Sequence, residues 1–200
     1  IVRDQFNNPV AGVAVTFAVE AGGGSIAGAT QTTNAAGIAA VGSWTLGNTT
    51  GSNTLSTCVD GLIGSPVTFT ATGTAGAATQ VALEAGDGQS ATVGNAVAIA
   101  PAVIVRDQFN NPVAGVEVTF AVVAGGGTVN PTTAATTDAN GIAAATSWTL
   151  GTTAGANSLT ATSAGLSGSP VTFNATGTAD AATQIALEAG DGQTATAGTP

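Results

Sequence analysis

Few residues in this 200-residue chain could carry out chemistry, and their kinds narrow the choice at once. There is no His and no Tyr, the only basic residues are Arg3 and Arg106, and the single Cys is Cys58. General acid–base work would therefore fall to carboxylates. Glu84 and Asp87 lie three apart in "EAGDGQ", and the same letters return with Glu188 and Asp191. A pair of carboxylates can divide acid and base roles when their side chains converge. Glycines lie between and beside these two, which is the composition of a turn. The turn is the expected reading, so the chain is read as a non-enzyme with no catalytic residue and no cofactor.

Calcium is the other chemistry open to carboxylates, and it needs six to eight oxygens. Glu84, Asp87, Glu188 and Asp191, with Asp180 beside the second "EAGDGQ", are the candidate ligands for a structural Ca2+ at a joint. The pattern is weak. Gly76 stands where Asp180 stands in the other copy, and "DANG" at Asp138–Gly141 becomes "NAAG" at Asn34–Gly37. No D-x-D-x-D-G loop is present, and plain solvated turns are the simpler expectation.

The charge balance excludes further classes. Eleven acidic residues against two basic ones give −9, which cannot neutralise a run of phosphates. Nucleic acid is not an expected partner, and docking to anionic lipid is disfavoured for the same reason. No stretch reads as a membrane span or a signal peptide, so direct membrane insertion is not expected. A lone Cys58 makes no intrachain disulfide. Alternation in "NTLSTCV" turns it outward, where the other copy has Thr162. An intermolecular disulfide is one reading of it and a chance difference from Thr the other. Asn48-Thr49-Thr50 and Asn174-Ala175-Thr176 match the N-glycosylation sequon, which matters only in a host that adds such glycans.

The elements that would position any site are set by a repeat. Ile1–Val13, "IVRDQFNNPVAGV", recurs unchanged as Ile104–Val116, and Ser43–Gly47 and Gly64–Phe69 return as Ser147–Gly151 and Gly168–Phe173. "AATQVALEAGDGQ" from Ala77 recurs as "AATQIALEAGDGQ" from Ala181. The unit is thus about 103 residues long, the size of one small domain. On this reading 1–75 is a repeat lacking its opening strand, 76–178 a complete repeat, and 179–200 the opening segment of a further one.

Within the complete repeat, "VEVTFAV" puts Val116, Val118, Phe120 and Val122 on one face, and "VTFNAT" does the same for Val171, Phe173 and Ala175. "NSLTATS" aligns Leu159, Ala161 and Ser163. Turn signals separate these runs: Asn110-Asn111-Pro112, Gly125–Gly127, Asp138–Gly141 and Gly168-Ser169-Pro170. About seven short strands with turns every 8–12 residues predict an all-β fold of antiparallel immunoglobulin-like sandwiches, arranged head to tail. The expected core is thin and rich in Val and Ala, filled by Trp44 and Trp148 with Phe17, Phe69, Phe120 and Phe173. Asp4 and Asp107, each followed by "QFNNP", are expected to cap an Asx-type turn, with a recognition loop as the alternative.

The ordered set "VIVRDQFNNPVAGVEVTFAV", "ANGIA", "SWTLG", "GSPVTF" and "AATQIALEAGDGQ" resembles the tandem immunoglobulin-like repeats of large bacterial surface adhesins, of the invasin and intimin type, along the whole chain. The resemblance implies a non-catalytic, extracellular rod at a bacterial cell surface, the shaft of an adhesin or filament. Its implied partners are neighbouring repeats head to tail. An adhesive module that binds a glycan or receptor through exposed loops is the alternative; the host ligand is not specified. Isopeptide staples found in some adhesins are excluded, because no Lys is present. The phase of the repeat leaves two readings: a window of a longer covalent array, or a subunit whose terminal segment, with Thr183, Ile185 and Leu187, complements the incomplete sandwich of another copy.

Overall fold

Val, Thr and Ala dominate the alternating runs, and their branched or small side chains suit a pleated, half-buried surface. In the computed structural model, which describes residues 1–198, the regular structure is all β. The first sandwich holds β1 (Ala14–Ala21), β2 (Ser25–Ala27), β3 (Thr30–Thr32), β4 (Ser43–Thr45), β5 (Gly51–Cys58) and β6 (Val67–Gly73). The second begins with β7 (Ala78–Ala85), β8 (Gln89–Thr92), β9 (Ala102–Asp107), β10 (Glu117–Ala124) and β11 (Gly127–Asn130). It continues with β12 (Ala135–Thr136), β13 (Ile142–Ala144), β14 (Ser147–Leu150), β15 (Gly155–Thr162) and β16 (Val171–Thr178).

One layer of the second sandwich is the sheet β12-β10-β15-β16-β8, antiparallel except that β8 runs parallel to β16. The facing layer is made of β13-β9-β7 and β11-β14. Val118, Phe120, Leu159, Val171 and Phe173 from the first layer meet Val81, Val103, Val105, Trp148 and Leu150 from the second. Phe120 and Phe173 lie tilted with ring centroids 6.5 Å apart, a favourable aromatic arrangement. The ten strands exceed the expected seven because the short strands β8, β11 and β12 add to the runs read from the sequence and because "GIAAATSWTL" is not one strand. It breaks after Ala144, so β13 pairs with β9 and β14 with β11.

The triple glycine of each copy has a steric reason. Gly125, Gly126 and Gly127 all have left-handed φ (83°, 75° and 87°), and a Cβ on the facing Gly151 would run into the carbonyl of Gly125. Only glycine meets both demands.

The two copies are not equally closed. The first sandwich repeats β3-β1-β5-β6 and β2-β4, and among the described residues no strand pairs beyond β6. Phe173 is fully buried, whereas its counterpart Phe69 is 44% exposed, and Trp148 is buried where Trp44 is half-buried. The expected core place of Phe69 is thus not realised here: among the described residues nothing lies on that side of β6 to cover it. Phe17 and Phe120 are buried in both copies. The segment expected to open a further repeat over 179–200 forms no strand between 179 and 198, and its last residues, Thr199 and Pro200, lie outside the described residues.

Candidate functional site: the joint between the sandwiches

The "RDQFNNP" phrase ends β9 and turns the chain back on itself. Asp107 Oδ1 accepts the backbone N–H of Phe109 (2.8 Å) and of Asn111 (2.9 Å), while Asn110 adopts a left-handed φ of 70°. This is the Asx-type turn expected from the sequence, in which a short side chain substitutes for a backbone acceptor.

The turn also reaches into the first sandwich. Asn111 Nδ2 donates to the Asn48 carbonyl at 2.7 Å, and Asn111 Oδ1 accepts the Thr50 N–H at 3.0 Å. The same amide donates to Asp107 Oδ2 at 2.9 Å, and that oxygen also accepts the N–H of Gly76 in the linker, at 2.9 Å. One carboxylate and one carboxamide therefore clasp the 48–50 loop, the linker and the second sandwich together. Asp107 is 1% exposed and Asn111 6%. The Asn111 side chain, opposed by desolvation and aided by the N–H groups of Gly76, Asn111 and Phe109, holds the Asp107 carboxyl down at about 2.

Both contacts on the first sandwich are to backbone atoms. The corresponding loop of the second sandwich reads Thr152-Thr153-Ala154 in place of Asn48-Thr49-Thr50, and it offers the same carbonyl and N–H. The clasp is therefore indifferent to side-chain drift in its receptor loop. In the first copy the turn stands formed and unengaged. Asp4 Oδ1 accepts from Phe6 N–H (2.9 Å) and Asn8 N–H (2.8 Å), Asn8 Nδ2 donates to Asp4 Oδ2 (3.0 Å), and both residues are exposed. The Asn8 side chain is the chief cause of the lowered Asp4 pKa.

The carboxylates singled out from the sequence lie elsewhere. Asp87 Oδ1 accepts the Asn174 N–H at 2.7 Å and so ties the "EAGDGQ" turn to β16. Glu84 is exposed on β7, and Asp180 and Asp191 each accept the N–H of the following residue. Glu188 is also exposed. Among the described residues no three His, Cys, Asp or Glu side chains come close enough to hold a metal ion. Cys58 is an exposed free thiol on β5, 3.8 Å from Asp60 Oδ1. Among the described residues no helix is long and apolar enough to cross a membrane.

Sequence reasoning found the Asp107 turn and missed the role of Asn111. The available signal was the unchanged repetition of "RDQFNNP", which a turn alone does not demand.

These features define a tandem immunoglobulin-like β-sandwich protein with a hydrogen-bonded joint. Among solved structures the chain is similar to InvD of Yersinia pseudotuberculosis, with a TM-score of 0.58 and 22% identity over 93% of this chain and 53% of that one. It also matches the Yersinia pseudotuberculosis adhesin InvE (TM-score 0.40, 26% identity, 88% and 51% covered) and the D0–D1 domain of intimin (0.37, 22%, 86% and 83%). The chain spans about half the length of the InvD and InvE chains. The likeness to InvD gives the fold, the bacterial immunoglobulin-like sandwich that the sequence resemblance implies. No protein-family model and no curated protein matches the chain.

Proposed function

We propose that this chain is a non-catalytic structural segment, part of the shaft of an extracellular bacterial adhesin or surface filament. The observation that carries the reading is the clasp of Asp107 and Asn111 on the 48–50 loop and the linker. A flexible tether between domains has no use for a buried carboxylate–carboxamide pair, since each ordered contact opposes the freedom a tether needs. A shaft does need it, because angular error at each joint accumulates along a string of repeats. The unengaged Asp4–Asn8 turn and the Thr152–Ala154 loop supply the same two halves for joints with further neighbours. The InvD-like fold and the sequence resemblance to tandem adhesin repeats support the same role and a bacterial cell surface as its place.

Spin labels on Cys58 and on a Thr162→Cys variant, at equivalent exposed positions of the two sandwiches, test the joint. A narrow distance distribution that broadens in Asn111→Ala is expected. A distribution equally broad with and without Asn111 would overturn the rigid-shaft reading, and so would saturable, specific binding in a glycan or receptor screen.

A further inference from the structure

The chain enters the second sandwich beside the clasp and leaves it at the opposite end. β7 begins at Ala78, which pairs with Asp107 of the joint, and runs away from it. After a bend at Gly86–Gly88 the chain crosses to the other layer, where β8 runs parallel to β16 at the edge of the sheet. β16 then carries the chain out at Thr178. The entering and leaving segments thus lie side by side and point the same way.

Tension on the two ends draws β8 back toward the clasp and β16 away from it, so the two strands must slide along each other. Sliding loads every bond of the ladder at once, whereas strands peeled apart from one end part bond by bond. The ladder pairs Gln89–Thr92 with Ala175–Thr178 and is bonded beyond both of its ends. At the clasp end Gly88 N–H donates to the Asn174 carbonyl at 2.9 Å, and Asn174 N–H donates to Asp87 Oδ1 at 2.7 Å. At the exit end Val93 N–H donates to the Thr178 carbonyl at 2.9 Å.

Side chains keep the pair in place. Gln89 Nε2 donates to the carbonyls of Gly86 (2.8 Å) and Ile99 (2.7 Å), and Gln89 Oε1 accepts the Ile99 N–H (2.8 Å), which fixes the bend that leads into β8. On the inner face of β16, Phe173 is fully buried and Val171 and Ala175 are nearly so. Sliding of β16 would draw these side chains past a close-packed core, which resists displacement. We propose that the parallel β8–β16 pair is a mechanical clamp that keeps the sandwich folded under tension along the chain, with Asp87 and Gln89 locking its clasp end. The purpose of the clamp rests on the shaft reading, because a shaft is loaded along this direction.

Single-molecule pulling of the 200-residue chain tests it, in a Cys58→Thr background with handles on introduced cysteines. Handles at Ala77→Cys and Asp180→Cys shear β8 against β16. Handles at Asn95→Cys and Asp180→Cys, both at the exit end, peel the pair apart from there. At one loading rate, unfolding in shear should need roughly twofold more force than unfolding by peeling, since forced unfolding is governed by the barrier along the direction of pull. Asp87→Ala should lower the shear force and leave the peel force unchanged, because peeling starts at the other end of the ladder. Equal forces in the two geometries would overturn the proposal, and so would a loss of equal size in both for Asp87→Ala, the mark of general destabilisation. The spin-label distances across the joint are independent of either result, so the clamp and the shaft reading fail separately.

Discussion

Phe173 and Phe69 occupy the same position in two copies of one sandwich, with the same "GSPVTF" around them, yet one is sealed and the other nearly half exposed. The difference does not come from their own strands. β6 pairs with β5 in the register in which β16 pairs with β15, Leu55 facing Phe69 as Leu159 faces Phe173. It comes from the segment 78–93, which lies across β9 and β16 and has no counterpart against Ile1–Asp4 and β6 among the described residues. The second core joins strands from both layers, whereas the first reduces to Val15, Phe17 and Leu55 with half-buried neighbours. A repeat of this kind is completed by the strand that enters from the side of its neighbour, so stability and connection to the array are one property.

The contrast between the two phenylalanines can be broken by truncating each of them. Phe173→Ala should cost the second sandwich about 3–5 kcal/mol, as expected for a buried aromatic. Phe69→Ala should cost the first roughly 1 kcal/mol or less, because much of its surface already meets water. Urea unfolding in Trp44→Phe and Trp148→Phe backgrounds reads each sandwich through its remaining indole. Equal losses at the two positions would remove the asymmetry. In the same experiment the first sandwich should unfold at lower urea than the second.

A smaller effect separates the two Asn residues of the repeated turn. Asn111→Ala should remove about 1–3 kcal/mol of coupling between the sandwiches, since the buried Asp107 carboxylate and a part-buried carbonyl and N–H lose their partner. Asn8→Ala, at an exposed turn, should stay within about 0.5 kcal/mol. Thermal unfolding that becomes less cooperative in the first variant and not in the second is the expected outcome.

Acid should sharpen the contrast. Asp107 is held at about 2, below its ordinary 3.8, so its contribution to the folded joint is complete at neutral pH and is lost as pH falls from about 4 through 2. The joint should loosen in that window, measured by the same spin-label distances, and Asp107→Asn should flatten the pH dependence.

Much of this was legible in the sequence. Period-two alternation marks Val118, Phe120 and Val122, or Val171, Phe173 and Ala175, because a strand with one buried face leaves no other pattern. That Ile1 aligns with Ile104, partway through the repeat, follows from alignment of the copies. The joint was not legible, since Asn111 binds a carbonyl and an N–H in a loop more than sixty residues away, and backbone atoms leave no mark in a sequence. Nor could alternation show that 179–198 forms no strand, because a strand-like sequence becomes a strand only where an edge receives it. Cys58 lies exposed on β5, as its alternation indicates, and nothing in the structure gives it a role.

The most direct test of the central claim, that residues 78–93 close the second sandwich against β9 and β16, is amide hydrogen exchange of the 200-residue chain at low concentration. The Asn174 N–H, held by Asp87, should be strongly protected, and the equivalent Thr70 N–H, on the open edge of β6, should exchange orders of magnitude faster. Equal protection at the two positions would contradict the account.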